Sequence, residues 1–128
     1  MPPASANLHN SVSVSFPAFE DLPFKNDLNE DYYSMRSGGF YEAHRHWCLF
    51  AEIRSVQPWL RLVLSVQDAA GHEFLVSFNT EDKGESVMMQ ATPGYTVAML
   101  YAEQHGFMSG HEGVRLEDPT QVKVGSTD

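Results

Sequence analysis

The clearest signal along the chain is an alternation of apolar and polar side chains that sets in after residue 44. Trp47, Leu49, Ala51 and Ile53 alternate with Cys48, Phe50, Glu52 and Arg54, and the second series turns polar only in its later half. Side chains of a strand point to opposite faces in turn. The pattern therefore predicts a strand buried on both faces at first and on one face later. Gln57-Pro58 ends it, because proline has no N–H to give a ladder. Leu60, Leu62, Leu64 and Val66 then alternate with Arg61, Val63, Ser65 and Gln67, a half-buried strand. Asp68-Ala69-Ala70-Gly71 supplies a hairpin loop with glycine where a positive φ is needed. Phe74, Val76 and Phe78 alternate with Glu73, Leu75 and Ser77, which completes a three-stranded antiparallel meander.

After the meander the signals change. Residues 80 to 92 carry Glu81, Asp82 and Glu85 and then Val87, Met88 and Met89, a short helix that Thr80 would cap and Gly84 would weaken. Pro93-Gly94 predicts a turn, and Tyr95 to Tyr101 resumes as a strand rich in β-formers. Gly106 to Gly113 is expected as a loop. Val114 to Glu117 and Val122 to Val124 make a last strand, interrupted at Asp118-Pro119. Three meandering strands, a helical connection and two further strands are the order of a five-stranded barrel of the oligonucleotide/oligosaccharide-binding (OB) type. An all-β fold with one short helix is thus expected. A small β-sandwich or an SH3-like barrel are its alternatives.

Ahead of the alternation the chain reads differently. Residues 1 to 15 are small and polar, the composition of a disordered N-terminus. Residues 16 to 43 set Phe16, Phe19, Leu22, Phe24, Leu28, Tyr32, Tyr33, Phe40 and Tyr41 among acids and turn formers. That is an irregular arm whose aromatics either pack on the barrel or bind a partner. Ser37-Gly38-Gly39 would turn it into the barrel domain, residues 44 to 126.

Composition narrows the function classes. The chain has 128 residues, 42% of them hydrophobic, enough for one domain with its own core. Its single cysteine, Cys48, excludes an internal disulfide and, among Trp47, Leu49 and Phe50, reads as a small apolar side chain in a reducing compartment. The net charge is −9, and from His44 onward six Arg or Lys, scattered singly, face eleven Asp or Glu. Nucleic-acid binders draw most of their affinity from phosphate neutralisation, so this balance argues against such a partner and against an anionic membrane. No basic-then-apolar leader is present, and no run approaches the roughly eighteen apolar residues of a membrane helix. An intracellular protein is the expectation, with its oligomeric state open.

Candidate chemistry is sparse. His44 and His46 would share a strand face, and with His105 and His111 they offer four imidazoles for a metal, but no cysteine partner or His-Glu-x-x-His helix accompanies them. Cys48 lies in an apolar strand run where a thiol is inert, and no Gly-x-Ser-x-Gly elbow or phosphate loop occurs. Glu20-Asp21, Glu81-Asp82 and Glu117-Asp118 are sequence neighbours that point apart on a strand. No catalytic residue or cofactor is therefore assigned. The outward residues of the middle strands, Arg61, Val63, Ser65, Gln67, Glu73, Leu75 and Ser77, lack the aromatics on which bases stack. They suit a protein contact through Val63 and Leu75 or a docking site for the N-terminal arm. A nucleic-acid or oligosaccharide reading would instead rest on Trp59, Arg61, Arg54 and Tyr101.

Four stretches carry a family resemblance: His46-Trp47-Cys48-Leu49, Phe74-Leu75-Val76-Ser77-Phe78, the run from Thr96 to Phe107, and Gly110-His111-Glu112-Gly113-Val114-Arg115-Leu116-Glu117. Together, over residues 44 to 124, they resemble the N-terminal, OB-like region of fungal proteins that carry a MYND-type zinc finger further along. That finger is a Cys/His zinc module for protein–protein contact, and its ligand cluster is missing here, so no zinc ligand carries over. The resemblance implies a non-enzymatic interaction or regulatory module.

Overall fold

The computed structural model describes residues 14–24, 32–35, 41–43 and 46–126. Within them run the strands β1 (Val14–Ser15), β2 (Tyr33–Met35), β3 (Tyr41–Ala43), β4 (His46–Gln57), β5 (Val63–Asp68), β6 (Glu73–Phe78), β7 (Thr96–Leu100), β8 (His105–Gly106), β9 (Glu112–Leu116) and β10 (Val122–Gly125), and one short helix, α1 (Glu85–Met88). The fold is all-β apart from that helix. Strands β4, β5 and β6 form the antiparallel meander, and the sheet runs in the order β10-β7-β4-β5-β6-β9-β8. All neighbours are antiparallel except β6 and β9. The pair β2–β3 stands apart from this sheet. Ser37-Gly38-Gly39, His44 and the first thirteen residues lie outside the described residues.

The core follows the alternation. Trp47, Leu49, Ala51 and Ile53 of β4, Leu64 and Val66 of β5, and Phe74, Val76 and Phe78 of β6 are all buried, joined by Val97, Met99, Val114, Leu116 and Val122. Two expectations for the meander need correction. β4 is not buried on both faces: Phe50 is 48% exposed and Cys48 half-buried, with the Phe16 ring 5.7 Å from the Phe50 ring on that side. Leu60 does not face the interior. The second strand starts at Val63, and Pro58 to Arg61 form a bend on which Trp59 is 81% and Leu60 78% exposed.

Leu60 sits at φ 62, in the left-handed region that costs an L-residue with a side chain roughly 1–2 kcal/mol. The bend is held from behind. Leu62 is fully buried, its N–H donates to Lys83 O (2.9 Å), and its carbonyl accepts from the Phe78 N–H (3.0 Å). Leu60→Gly is expected to raise stability by about 0.5–1 kcal/mol, part of the relieved strain being offset by the freedom a glycine adds to the unfolded chain. Chemical denaturation checks it, and a loss of stability would mean that the Leu60 side chain makes contacts this bend does not offer.

The second half departs from expectation in detail. Gly84 does not weaken the helix but starts it, at φ 87, with Leu62 and Phe78 so close that a β-carbon there would lie 2.6 Å from Leu62 Cβ. Thr80 does not cap α1; its hydroxyl accepts the Gly84 N–H (3.1 Å) and donates to Asp82 (2.6 Å). The stretch expected as a loop holds β8, and β9 opens at Glu112. Asp118-Pro119 begins a single 3-10 turn, Pro119–Gln121, between β9 and β10, with the Asp118 carboxylate accepting the Thr120 N–H (2.9 Å).

The arm is anchored at three places. Phe19 is buried, stacked 4.2 Å from the Phe74 ring and 5.0 Å from His72. Its N–H donates to Asp68 Oδ2 (2.8 Å), while Asp68 Oδ1 accepts from the N–H groups of Ala70 (3.1 Å) and His72 (2.9 Å). A buried carboxylate is tolerable only when its lone pairs are occupied in this way. Tyr32 and Tyr33 meet the Trp47 ring edge-on at 4.7 and 5.7 Å. Gln104, buried, donates through Nε2 to the carbonyls of Glu20 (3.2 Å) and Leu22 (2.9 Å).

Candidate functional site

Cross-strand register decides which side chains share an outer face. On β5 and β6, Val63 lies opposite Ser77 and Ser65 opposite Leu75, and on β9 Gly113 and Arg115 continue these rows. The result is a shallow face of small hydroxyls with Val63 and Leu75 half-buried in it. A groove of about 510 Å³ opens at one end, lined by Ser65, Glu73, Phe74, Leu75, Gly110, His111 and Glu112. Two carboxylates in that lining repel a phosphate chain. Arg54 and Arg115, both exposed, sit 3.6 Å from Glu52 and 3.7 Å from Glu117, so each has a carboxylate for a neighbour already.

The residues singled out from sequence are dispersed. Trp59 and Arg61 stand on the β4–β5 bend. Arg54 lies where the β4–β5 register slips between Ile53 and Ser55. Tyr101, at φ 57 beyond β7, packs its ring on Trp47 (5.2 Å) with its hydroxyl against His46 Nδ1. Val63 and Leu75 alone among the six fall on one shared face. The described histidines among the candidates are no more convergent. His46 belongs to Tyr101, His105 meets the Phe107 ring (4.8 Å), and His111 contacts the Ser109 hydroxyl (3.0 Å). Among the described residues no group of three or more His, Cys, Asp or Glu is placed to hold a metal ion.

A different surface stands out on the outer side of β4 and β7. There Cys48 is paired with Leu100 and Phe50 with Ala98, and Lys123 of β10 lies beside Ala98. Phe50 and Leu100 are exposed, Cys48 and Ala98 half-buried, and Phe16 extends the patch over Phe50. A hollow of about 220 Å³ borders it on the β10 side, lined by Cys48, Ala98, Leu100, Thr120, Gln121, Val122 and Lys123. Burial pushes the Cys48 thiol above its ordinary pKa, against a smaller opposing pull from a backbone hydrogen bond with Met99. That thiol carries little thiolate at neutral pH and acts as apolar surface. The contiguity of this patch is invisible in sequence, since it joins residues fifty positions apart. The one available signal was that Cys48 and Phe50 are apolar on the side of β4 that turns polar at Glu52.

Asp82 and the Tyr33–Glu103 pair serve the fold. Glu81, Asp82, Glu117 and Asp118 line a groove of about 470 Å³. The Thr80 hydroxyl foremost, with the Ser86 and Gly84 N–H groups, holds the Asp82 carboxyl well below the usual carboxylate range. A group depressed in the folded state contributes stability that is complete above its unfolded pKa of about 3.9 and is lost as pH falls toward the folded value. Asp82→Ala should therefore be less stable than the parent at neutral pH, with the gap closing between about pH 4 and pH 2. Urea midpoints across that range test this; a gap that widens on acidification overturns it. At Tyr33, burial first and the hydrogen bond to Glu103 Oε2 (2.5 Å) second push the phenol well above its ordinary range, so it stays protonated.

No helix among the described residues is long and apolar enough to cross a membrane. Compared with known proteins, the chain matches no family model and no curated protein.

Proposed function

We propose that this chain is a non-enzymatic, intracellular protein-interaction module on an OB-type barrel, and that it docks its partner on the outer face of β4 and β7. The observation that carries the reading is the paired row Cys48–Leu100 and Phe50–Ala98 with Phe16 beside it, a contiguous apolar patch on an acidic chain. Such patches on otherwise polar proteins mark contacts with other proteins. The barrel is supported by connectivity. β9 runs parallel to β6, β10 runs antiparallel to β7, and only residues 117–121 separate β9 from β10. Taken as one bent strand, they join β6 to β7 and complete the five-strand circuit of an OB fold. The resemblance to the N-terminal region of fungal MYND-type proteins points to the same role, beside a finger that recruits proteins.

The test is photo-crosslinking in the source lysate, with the reactive residue at Leu100 or, as control, at Gln57 on the middle-strand side. Expected is a protein adduct at position 100 that Phe50→Ser abolishes, with the thermal midpoint unchanged because Phe50 is already half exposed. Adducts only at Gln57, or an adduct indifferent to Phe50→Ser, refute the reading. The rival reading, single-stranded nucleic acid or oligosaccharide on Trp59, Arg61, Arg54 and Tyr101, has its residues scattered and its groove lined with carboxylates. Titration of Trp59 emission with oligo-dT at low salt should stay flat.

A further inference from the structure

The bend between β4 and β5 puts Trp59 and Leu60, two large apolar side chains, into solvent as neighbours. Its backbone is strained to do so. Of the three non-glycine residues with positive φ among the described residues, Leu60 (62°) and Lys83 (56°) meet here, across the bond from the Leu62 N–H to the Lys83 carbonyl (2.9 Å). The bend is also rigid. The Arg61 N–H closes it on Trp59 O (2.6 Å), Leu62 is buried beneath it, and Gly84 packs against Leu62 too closely for any β-carbon. None of these contacts uses the Trp59 or Leu60 side chain. Strain that persists in a rigid setting, while the side chains it carries stay in water, stabilises nothing in the fold and points to a use outside it.

Charge distinguishes this end of the molecule as well. Arg54 and Arg115 each have a carboxylate neighbour, but Arg61 and Lys83 have none within ion-pair distance among the described residues. Arg61 follows Leu60 in the chain, and Lys83 is tied to Leu62 by the backbone bond just given. The acids of the Lys83 turn are largely engaged. Asp82 accepts from the Thr80 hydroxyl and from the Gly84 and Ser86 N–H groups, and Glu81 lines the groove shared with Glu117 and Asp118. Glu85 is exposed and without a described partner. Two free cations therefore stand against one uncommitted carboxylate, on a chain whose net charge is −9.

We propose that the Trp59–Leu60 bend is a preformed docking knuckle for an acidic segment of another protein, whose apolar side chains close over Trp59 and Leu60 while its carboxylates meet Arg61 and Lys83. Tryptophan and arginine are among the side chains that most often dominate a protein contact, and a rigid bend loses little freedom on binding. Opposite charge supplies orientation. Two cations suffice for one or two carboxylates, whereas a nucleic-acid chain or an anionic membrane needs a longer basic track. Phe50 lies seven residues back from Gln57 along β4, about 23 Å at strand spacing, so the knuckle is a second contact that does not rest on the β4–β7 face.

The experiment is selection of a displayed random-peptide library on the full chain, with counter-selection on Trp59→Ser. Enriched peptides are then titrated, read by Trp59 emission and by the anisotropy of a dye on the peptide. Expected are Asp or Glu beside Leu, Phe or Met, and a blue shift of Trp59 emission, since Trp47 is already buried and stays constant. Affinity should fall about tenfold or more in Trp59→Ser and in Leu60→Gly, and about fivefold or more in the double variant Arg61→Glu, Lys83→Glu. Leu60→Gly is the decisive variant, because it should be more stable than the parent and yet bind worse, which a merely structural role for Leu60 does not allow. Peptides without acidic residues, peptides that bind Trp59→Ser equally, or no enrichment at all overturn the knuckle. A blue shift with oligo-dT or with vesicles of phosphatidylserine and phosphatidylcholine, absent with the acidic peptides, overturns the protein partner. Because Gln57 adjoins the knuckle, a lysate adduct there that Trp59→Ser removes is assigned to this contact, and the β4–β7 face is judged at Leu100 alone.

Discussion

Trp47→Ala should cost about 4–5 kcal/mol and lower the thermal midpoint by on the order of 15 °C in a domain of this length. Three contributions add. The indole is fully buried, so truncation leaves a large cavity in the centre of the core. Its N–H donates to Ala102 O (2.8 Å), a carbonyl that would be left without its partner. Its ring also receives Tyr32, Tyr33 and Tyr101 edge-on at 4.7, 5.7 and 5.2 Å. Those tyrosines come from the arm and from the end of β7, so Trp47 is one of the three points at which the arm is fastened to the sheet. Trp47→Phe keeps most of the burial and loses the N–H, and should cost about 1–2 kcal/mol. Denaturant unfolding followed by far-ultraviolet dichroism separates the two. Trp59 remains as an exposed fluorophore in both variants and should emit at long wavelength throughout. A Trp47→Ala effect below about 2 kcal/mol would mean that the arm does not depend on this contact.

How much of this was legible in the sequence depends on the range of the contact. The interior of the meander follows from period-two alternation at Leu62, Leu64 and Val66 and at Phe74, Val76 and Phe78, because a slip of one residue would have moved every one of them to the outer face. Alternation misled at Leu60, where it continued in the letters after Pro58 had already taken the backbone out of extended geometry. It misled again at Cys48 and Phe50. An apolar run within a strand looks doubly buried, yet on its outer side Phe50 is exposed and Cys48 half-buried. Asp68 looked like a turn former and is one, but its second oxygen also holds the Phe19 N–H from forty-nine residues away. His72 stood out in no sequence pattern, and it lies between Glu112 (2.8 Å) and Glu20 (3.9 Å) while stacking on Phe19. Gln104 carried no signal at all. Local patterns determine where a strand points, whereas a face assembled from the arm, β4 and β7 exists only after the chain has closed on itself.

Gly113→Ala should be among the most damaging single-methyl changes in the molecule. Gly113 is the residue of β9 that pairs with Leu75 of β6, in a parallel ladder of the main sheet. A β-carbon built there would fall 2.0 Å from Leu75 O and 2.9 Å from the Phe107 ring. The ring could swing aside, but a backbone carbonyl inside a ladder cannot move without breaking the pairing that positions it. The expected cost is about 3 kcal/mol or more, at the upper end of overpacking effects. Gly106→Ala, one strand over and with open space around the added methyl, is the control and should stay within about 0.5 kcal/mol. The distribution of the damage matters more than its size. If β9 and β10 act as one bent strand joining β6 to β7, loosening β9 at Gly113 also loosens β10. Amide exchange should then accelerate at Val122 and Val124 as well as at Val114 and Leu116, while the β4–β5 ladder stays protected. Faster exchange confined to β8 and β9, with β10 unchanged, would show that the two segments are independent and that the five-strand circuit is not mechanically closed.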